Sequence, residues 1–293
     1  MTGKDSVGLA ATTAVPPILS WRMWVRFLFG FGVLFGVLSV TSGLDATGTW
    51  GLAILTAVLV TAAVVERVFF RTPMPGLIRR VGLGRTNIRS LTVAGGVSAL
   101  VLLVYPLSAA ISGEWVQLRS DWLWLLIGLY AFHGLAEELV WRGYAFRRLR
   151  EGRSFWRAVW LTMPLIAATH LTIVFTLGPA VGIGAMLVAA VTTIPLSYLY
   201  EAGGNSVWAP GLLHTAIDAF KLFVIPAAAS VSFPFLMVGV SVLIPLLVLA
   251  VPRQFLIPKS TRVPQEEQHG GTPFTSTAST WQKSATVGEP APK

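Results

Sequence analysis

The amino-acid sequence predicts an all-α fold, a polytopic transmembrane helix bundle with about eight spans. Hydrophobic residues make up 54% of the 293 residues and charged residues only 12%, whereas about a quarter of a soluble domain is charged. Apolar runs of about 20 residues, long enough to cross a bilayer, recur along most of the chain. With no cysteine, disulfides, thiolate metal sites and cysteine nucleophiles are excluded, so any chemistry depends on His, Asp, Glu and hydroxyl groups.

Each predicted span is an apolar run bounded by polar or glycine-rich connections, and the runs are placed in chain order. Prolines in the later runs are compatible with helices inside a bundle. Residues 1–20 are predicted to be a flexible N-terminal segment, 21–257 the transmembrane domain, and 258–293 a disordered cytoplasmic tail rich in Thr, Ser, Gly and Pro. The spans are expected at 24–43, 49–65, 91–112, 122–141, 158–177, 181–200, 207–225 and 234–251.

The distribution of basic residues predicts the orientation of the bundle. Six arginines lie between Arg67 and Arg89, and six more between Arg142 and Arg157. These connections fall on the same side as both termini. The connections on the opposite side contain a single basic residue, Arg119. Under the positive-inside rule this predicts a multi-pass protein of the cell membrane, in contact with membrane lipids, with both termini cytoplasmic. The net charge of +9 therefore belongs to membrane topology, and we expect no nucleic-acid partner.

Ionisable residues inside predicted spans are candidates for function, because each costs about 2.5–3.5 kcal/mol to insert. Residues four apart on a helix share a face. The spacing therefore predicts three same-face pairs: His133 with Glu137, Glu138 with Arg142, and His214 with Asp218. The candidates are His133, Glu137, Glu138 and Arg142 in the fourth span, His170 in the fifth, and His214 and Asp218 in the seventh.

The residue types in these spans suit hydrolysis by an activated water molecule. A sheltered carboxylate beside an imidazole can take a proton from water and direct the hydroxide at a carbonyl carbon. A second imidazole with a partner one turn away can stabilise the oxyanion that forms. The sequence thus favours an acyl hydrolase that uses water rather than an enzyme nucleophile.

Three ordered motifs resemble those of the CPBP family of intramembrane proteases, which includes CAAX prenyl proteases and bacteriocin-processing enzymes and is also called the ABI family. The stretch from Glu137 to Arg142 matches E-E-x-x-x-R, His170 takes the place of the histidine of F-x-x-x-H, and His214 with Asp218 matches H-x-x-x-N or H-x-x-x-D. The similarity covers roughly residues 120–225, which would form the protease-like core.

The resemblance implies a role for each matching residue. Glu137 and His170 would activate water, and His214 with Asp218 would stabilise the oxyanion. Glu138 and Arg142 would position the site or bind substrate. The implied substrate is a peptide or protein, which can be lipidated. It would be cleaved near the cytoplasmic membrane face.

Two residues depart from the family pattern. Ile166 stands where the second motif has an aromatic residue, and Asp218 stands where many members have asparagine. An ionised Asp218 would repel an oxyanion unless it is protonated, is paired with an imidazolium, or has another role. Glu137, His170, His214 and Asp218 are also possible zinc ligands, but H-E-x-x-H is absent, so we expect no cofactor, with zinc as the alternative.

Other readings of the same residues remain open. The four acidic and imidazole side chains would also serve as the relay of a proton-coupled transporter, although no internal repeat is visible. An inactive scaffold that binds peptides is a third reading. The pair of Glu138 with Arg142 is compatible with a structural ion pair near the interface, and His133 is interpreted as a hydrogen-bonded packing residue.

Overall fold

The computed structural model describes residues 21–45 and 47–256, so the predictions for residues 1–20 and 258–293 lie outside the described residues. The described chain is almost entirely helical, as predicted. Helices α1 to α7 are Trp21–Leu44, Gly51–Phe70, Leu77–Arg80, Ile88–Leu102, Val104–Ser112, Trp122–Leu129 and Arg147–Arg150. Helices α8 to α13 are Phe155–Thr169, Leu171–Thr176, Pro179–Ala202, Trp208–Ile217, Ser232–Leu243 and Arg253–Leu256. Strands β1 and β2 are Gln117–Leu118 and Phe223–Val224.

Seven helices of the described chain are long and apolar enough to cross a membrane. They coincide with seven of the eight predicted spans. Several of them contain short joints between helical segments, as at Leu103 and His170. The seven are Trp21–Leu44, Gly51–Phe70, Ile88–Ser112, Trp122–Arg150, Phe155–Thr176, Pro179–Ala202 and Ser232–Ala250.

The predicted span at 207–225 is not one continuous helix, and in this respect the prediction was wrong. Helix α11 ends at Ile217, a 3₁₀ turn follows over Ala219–Leu222, and the chain then becomes extended in β2. The extended residues pair antiparallel with β1, which satisfies backbone groups that a broken helix leaves open. The polar residues Asp218 and Lys221 interrupt the apolar run at this point.

This broken segment nevertheless passes from one end of the bundle to the other. At its start, the Val207 backbone N–H donates to the Gly82 carbonyl and the Ser206 hydroxyl to the Gly84 carbonyl, both in the arginine-rich connection after α2. At its finish, β2 pairs with β1 in the connection before residue 122. Seven of the eight predicted passages are therefore spanning helices, and the eighth is an interrupted segment.

The helix over Trp122–Arg150, here called the site helix, lies at the centre of the bundle. Its spanning window is the most buried of the seven. Its early residues, including Leu125 and Leu129, pack in one apolar cluster with α4, α5 and α10 to α12. Its later residues, including Phe132 and Phe146, pack in a second cluster with α1, α2 and α8. Both halves of the core therefore fix the orientation of this helix.

A buried ion network attaches the end of the site helix to α2. The Glu66 carboxylate is 1% exposed and accepts hydrogen bonds from Arg147 Nη2 at 2.7 Å, from Arg148 Nη2, and from the Thr72 hydroxyl at 2.8 Å. The Arg148 guanidinium also lies 3.2 Å from the centre of the Phe70 ring. Because a buried carboxylate is tolerated only when paired, this network holds the end of the site helix against α2.

Two glycines allow α11 to approach the site helix closely. A Cβ atom on Gly211 would lie 2.3 Å from the Gly134 carbonyl oxygen, and one on Gly134 would lie 2.4 Å from Thr215 Oγ1. No side chain fits at either position without a shift of backbone. Small residues at crossings of membrane helices permit such contacts.

Replacement of Gly211 by alanine is expected to lower the stability of the bundle. The added methyl group meets backbone rather than a movable side chain, and overpacking of this kind costs about 1–3 kcal/mol. Gly36→Ala is the matched control, because a Cβ atom there meets nothing within 4 Å. Thermal unfolding in detergent measures both variants. Equal melting temperatures for the two would contradict the close crossing.

Candidate functional site

The two adjacent acidic residues of the site helix lie between two π-helical stretches. These stretches cover Tyr130–Ala136 and Leu139–Phe146, and Glu137 and Glu138 separate them. Wide π turns inside α-helices occur often at functional sites because they redirect neighbouring side chains. The two consecutive carboxylates between these stretches contact different partners.

Glu138 is fully buried and holds two partners at one oxygen. Its Oε1 atom accepts from Arg142 Nη1 at 2.7 Å and from His214 Nδ1 at 2.7 Å. The predicted same-face pairing of Glu138 with Arg142 is thus confirmed. Arg142 is 2% exposed, so its guanidinium does not snorkel to solvent. Glu138 instead connects a buried guanidinium to an imidazole on α11.

Glu137 uses its two oxygens differently. Its Oε1 atom lies 2.7 Å from His133 Nδ1, one turn earlier on the same helix. Its Oε2 atom lies 3.7 Å from His214 Nε2, which is too long for a direct hydrogen bond. The same-face prediction for His133 and Glu137 is confirmed, and one oxygen of Glu137 remains turned toward α11.

Helix α11 ends next to the site helix and supplies His214 and Asp218. The His214 Nε2 atom lies 3.9 Å from Asp218 Oδ2, as expected for residues one turn apart. Asp218 Oδ2 also lies 3.0 Å from His133 Nδ1. Of the possibilities left open for Asp218, the geometry favours pairing with histidines.

His170 forms its hydrogen bonds outside this cluster. It occupies the joint between α8 and α9, where its Nδ1 atom bonds to the Ile166 carbonyl at 2.9 Å and lies 3.4 Å from the Thr169 hydroxyl. Among the residues that the structure describes, no hydrogen bond or ion pair joins His170 to Glu137. Direct contacts within the described residues therefore join groups from two of the three expected helices, and the water-activating role of His170 stays a prediction.

Two members of the cluster were given no catalytic or positioning role from the sequence. His133 was interpreted as a packing residue; it is hydrogen-bonded, but to the carboxylates of Glu137 and Asp218. Lys221, on the 3₁₀ turn after α11, forms a hydrogen bond to His133 Nε2. The sequence feature that could have indicated Lys221 is a lysine within an apolar run, three residues after Asp218.

The described side chains do not form a set of ligands for a metal ion. Within residues 21–45 and 47–256, no group of three or more His, Asp or Glu side chains has a geometry that would hold a metal. Glu138 is already occupied by Arg142, and His170 bonds within its own helix. The residues as placed thus do not fit zinc.

A comparison with protein families gives one match in this region. Residues 119–220 match the family described as Rce1-like, type II CAAX prenyl endopeptidase. This is the family that the three motifs resemble, so the predicted resemblance is confirmed. A comparison with curated proteins gives no match. The matched region contains the three motifs and ends one residue before Lys221. Together with the spanning helices, it supports a multi-pass membrane protein with a protease-type core.

Proposed function

We propose that this protein is an intramembrane endopeptidase that hydrolyses a peptide bond near the cytoplasmic membrane face. The observation that carries the proposal is the position of Glu137 Oε2 opposite His214 Nε2, 3.7 Å away. The other polar atom of each side chain is already bonded, by His133 and by Glu138. A general base and an oxyanion donor need this arrangement, in which one atom of each stays free for the reactants.

The proposed reaction begins with water activation at Glu137. Oε2 accepts a proton as the water O–H bond breaks, and the hydroxide oxygen bonds to the substrate carbonyl carbon. His214 Nε2–H donates to the oxyanion of the tetrahedral intermediate. Glu137 then returns the proton to the amine nitrogen as the C–N bond breaks, so acid and amine products leave the enzyme in its starting state.

The charges of the described cluster support a protonated His214. The carboxylates are Glu137, Glu138 and Asp218, and the cations are Arg142 and Lys221. Three negative charges face two positive ones, and a net buried charge is costly. One additional proton on His214 balances the cluster. It also gives His214 an N–H at both ring nitrogens, one toward Glu138 and one for the oxyanion.

The partial exposure of these groups supports access for a substrate. The side chains of Glu137, His214 and Asp218 are 15%, 16% and 20% exposed, respectively, whereas that of Glu138 is fully buried. A peptide or protein segment drawn from the membrane interface is the proposed substrate class. Since the matched family is described as a prenyl endopeptidase, lipidated peptides belong in the test panel.

Purified protein in liposomes tests this proposal with a panel of prenylated and unmodified peptides. Cleavage detected by mass spectrometry is expected, and it should continue in the presence of a chelator. His170→Ala tests the predicted role of His170, which requires a fall in kcat of about 10²-fold. Proton flux without any proteolysis would favour the transporter. Loss of cleavage on chelation, restored by zinc, would overturn the metal-free proposal.

A further inference from the structure

Lys221 lies beside the proposed reacting groups, in contact with His133. The sequence has lysines at 4, 221, 259, 283 and 293, and Lys221 alone lies in the part of the chain that the structure describes. It is partly buried on the 3₁₀ turn after α11, and its Nζ atom lies 5.9 Å from the centre of the Phe132 ring. Such a partly buried cation needs a defined partner.

The partner of Lys221 is His133 Nε2. An ammonium group has only donors, so the ring nitrogen facing it must be the acceptor. The proton of His133 therefore resides on Nδ1. That nitrogen lies 2.7 Å from Glu137 Oε1 and 3.0 Å from Asp218 Oδ2, and a single N–H shared between two carboxylates fits both distances. If His133 were an imidazolium, its Nε2–H would face the Lys221 ammonium. Two donors with like charges would then repel each other.

The position of this proton decides which oxygen of Glu137 can act. When His133 Nδ1–H donates to Oε1, the carboxylate is held with Oε2 toward His214. With the other tautomer, Nδ1 becomes an acceptor and would face two carboxylate oxygens. Glu137 would then be free to rotate away from the working orientation. A fixed orientation of the base relative to its reactant is a large part of catalytic efficiency.

We propose that Lys221 and His133 are positioning residues that orient Glu137, with Lys221 selecting the His133 tautomer. This inference rests on the proposed function for its kinetic consequence, but not for the tautomer itself. Neither residue needs to touch the substrate. Lys221 acts through His133, and His133 through the Oε1 atom of Glu137.

Variants of Lys221 test the kinetic consequence in the liposome assay. Lys221→Met removes the donor and is expected to lower kcat by about 10–100-fold with KM within about twofold. Lys221→Arg keeps a cationic donor and is expected to recover kcat to within about tenfold of wild type. Arg119→Met, which removes a surface cation in a neighbouring connection, is the control and should change neither constant by more than about twofold.

Nitrogen NMR of protein labelled at histidine tests the tautomer directly. The chain has 4 histidines, and His133→Gln assigns the signal of interest. Wild type is expected to show a proton on Nδ1 of His133, and Lys221→Met to lose that preference. A proton on Nε2 in wild type overturns the proposal, as does unchanged kcat in Lys221→Met or equal losses in Lys221→Met and Lys221→Arg. If wild type cleaves no peptide, the proposed function fails while the NMR result still decides the tautomer.

Discussion

Glu137→Gln is expected to reduce the kcat of peptide cleavage by about 10³-fold, because the amide cannot take the proton of the attacking water. The amide oxygen still accepts from His133 Nδ1, which lies 2.7 Å from the carboxylate oxygen it replaces. The local packing should therefore persist. Initial rates on the cleaved peptide, together with thermal unfolding of the same sample, measure both consequences.

A matched control separates this loss from a general effect of charge. Glu114→Gln makes the same chemical change at an exposed residue in the connection before β1. Its cleavage rate should equal that of wild type. A Glu137→Gln variant that cleaves at the wild-type rate would remove Glu137 as the general base and the proposed mechanism with it.

Arg142→Met is expected to destabilise the protein by about 3–5 kcal/mol, since it removes the guanidinium from a buried ion pair and unbalances the charges of the cluster. Glu138 has no exposed surface and receives Arg142 Nη1 at 2.7 Å. Methionine keeps most of the apolar stem and removes only the charged end. Thermal unfolding in detergent measures the change.

The double variant Glu138→Met with Arg142→Met tests whether the pair also serves the reaction. Removal of both charges is expected to restore most of the lost stability. Cleavage should stay at least about tenfold below wild type, because His214 Nδ1 loses the acceptor 2.7 Å away that orients its ring. A double variant with full stability and full activity would reduce the pair to a structural role.

The helical passages and the contacts within one helix were predictable because each depends on local sequence. Apolar runs locate the crossings, and a spacing of four residues accounts for the contact of Glu138 with Arg142 and of His133 with Glu137. The three motifs located the region that the family comparison matches.

Contacts between helices were not accessible in the same way. Whether His170 or His214 meets Glu137 depends on how helices rotate and cross, and spacing along one chain carries no such information. Similarly, α11 ends at Ile217 because the following residues find partners elsewhere in the bundle. Lys221 contacts His133, and Phe223 and Val224 pair with β1. Hydrophobicity alone predicts a continuous helix there.

The central location of the site helix has a consequence for biogenesis. It is the least hydrophobic of the seven spanning helices, and it carries several ionisable groups that are costly to transfer into lipid one helix at a time. Glu66 of α2 is synthesised earlier and can pair with both Arg147 and Arg148 at once. His214 emerges from the ribosome 76 residues after Glu138. We therefore expect the site helix to stay beside the insertion machinery, or in contact with α2, until α11 is made. Its final packing in the bundle is then a late step of assembly.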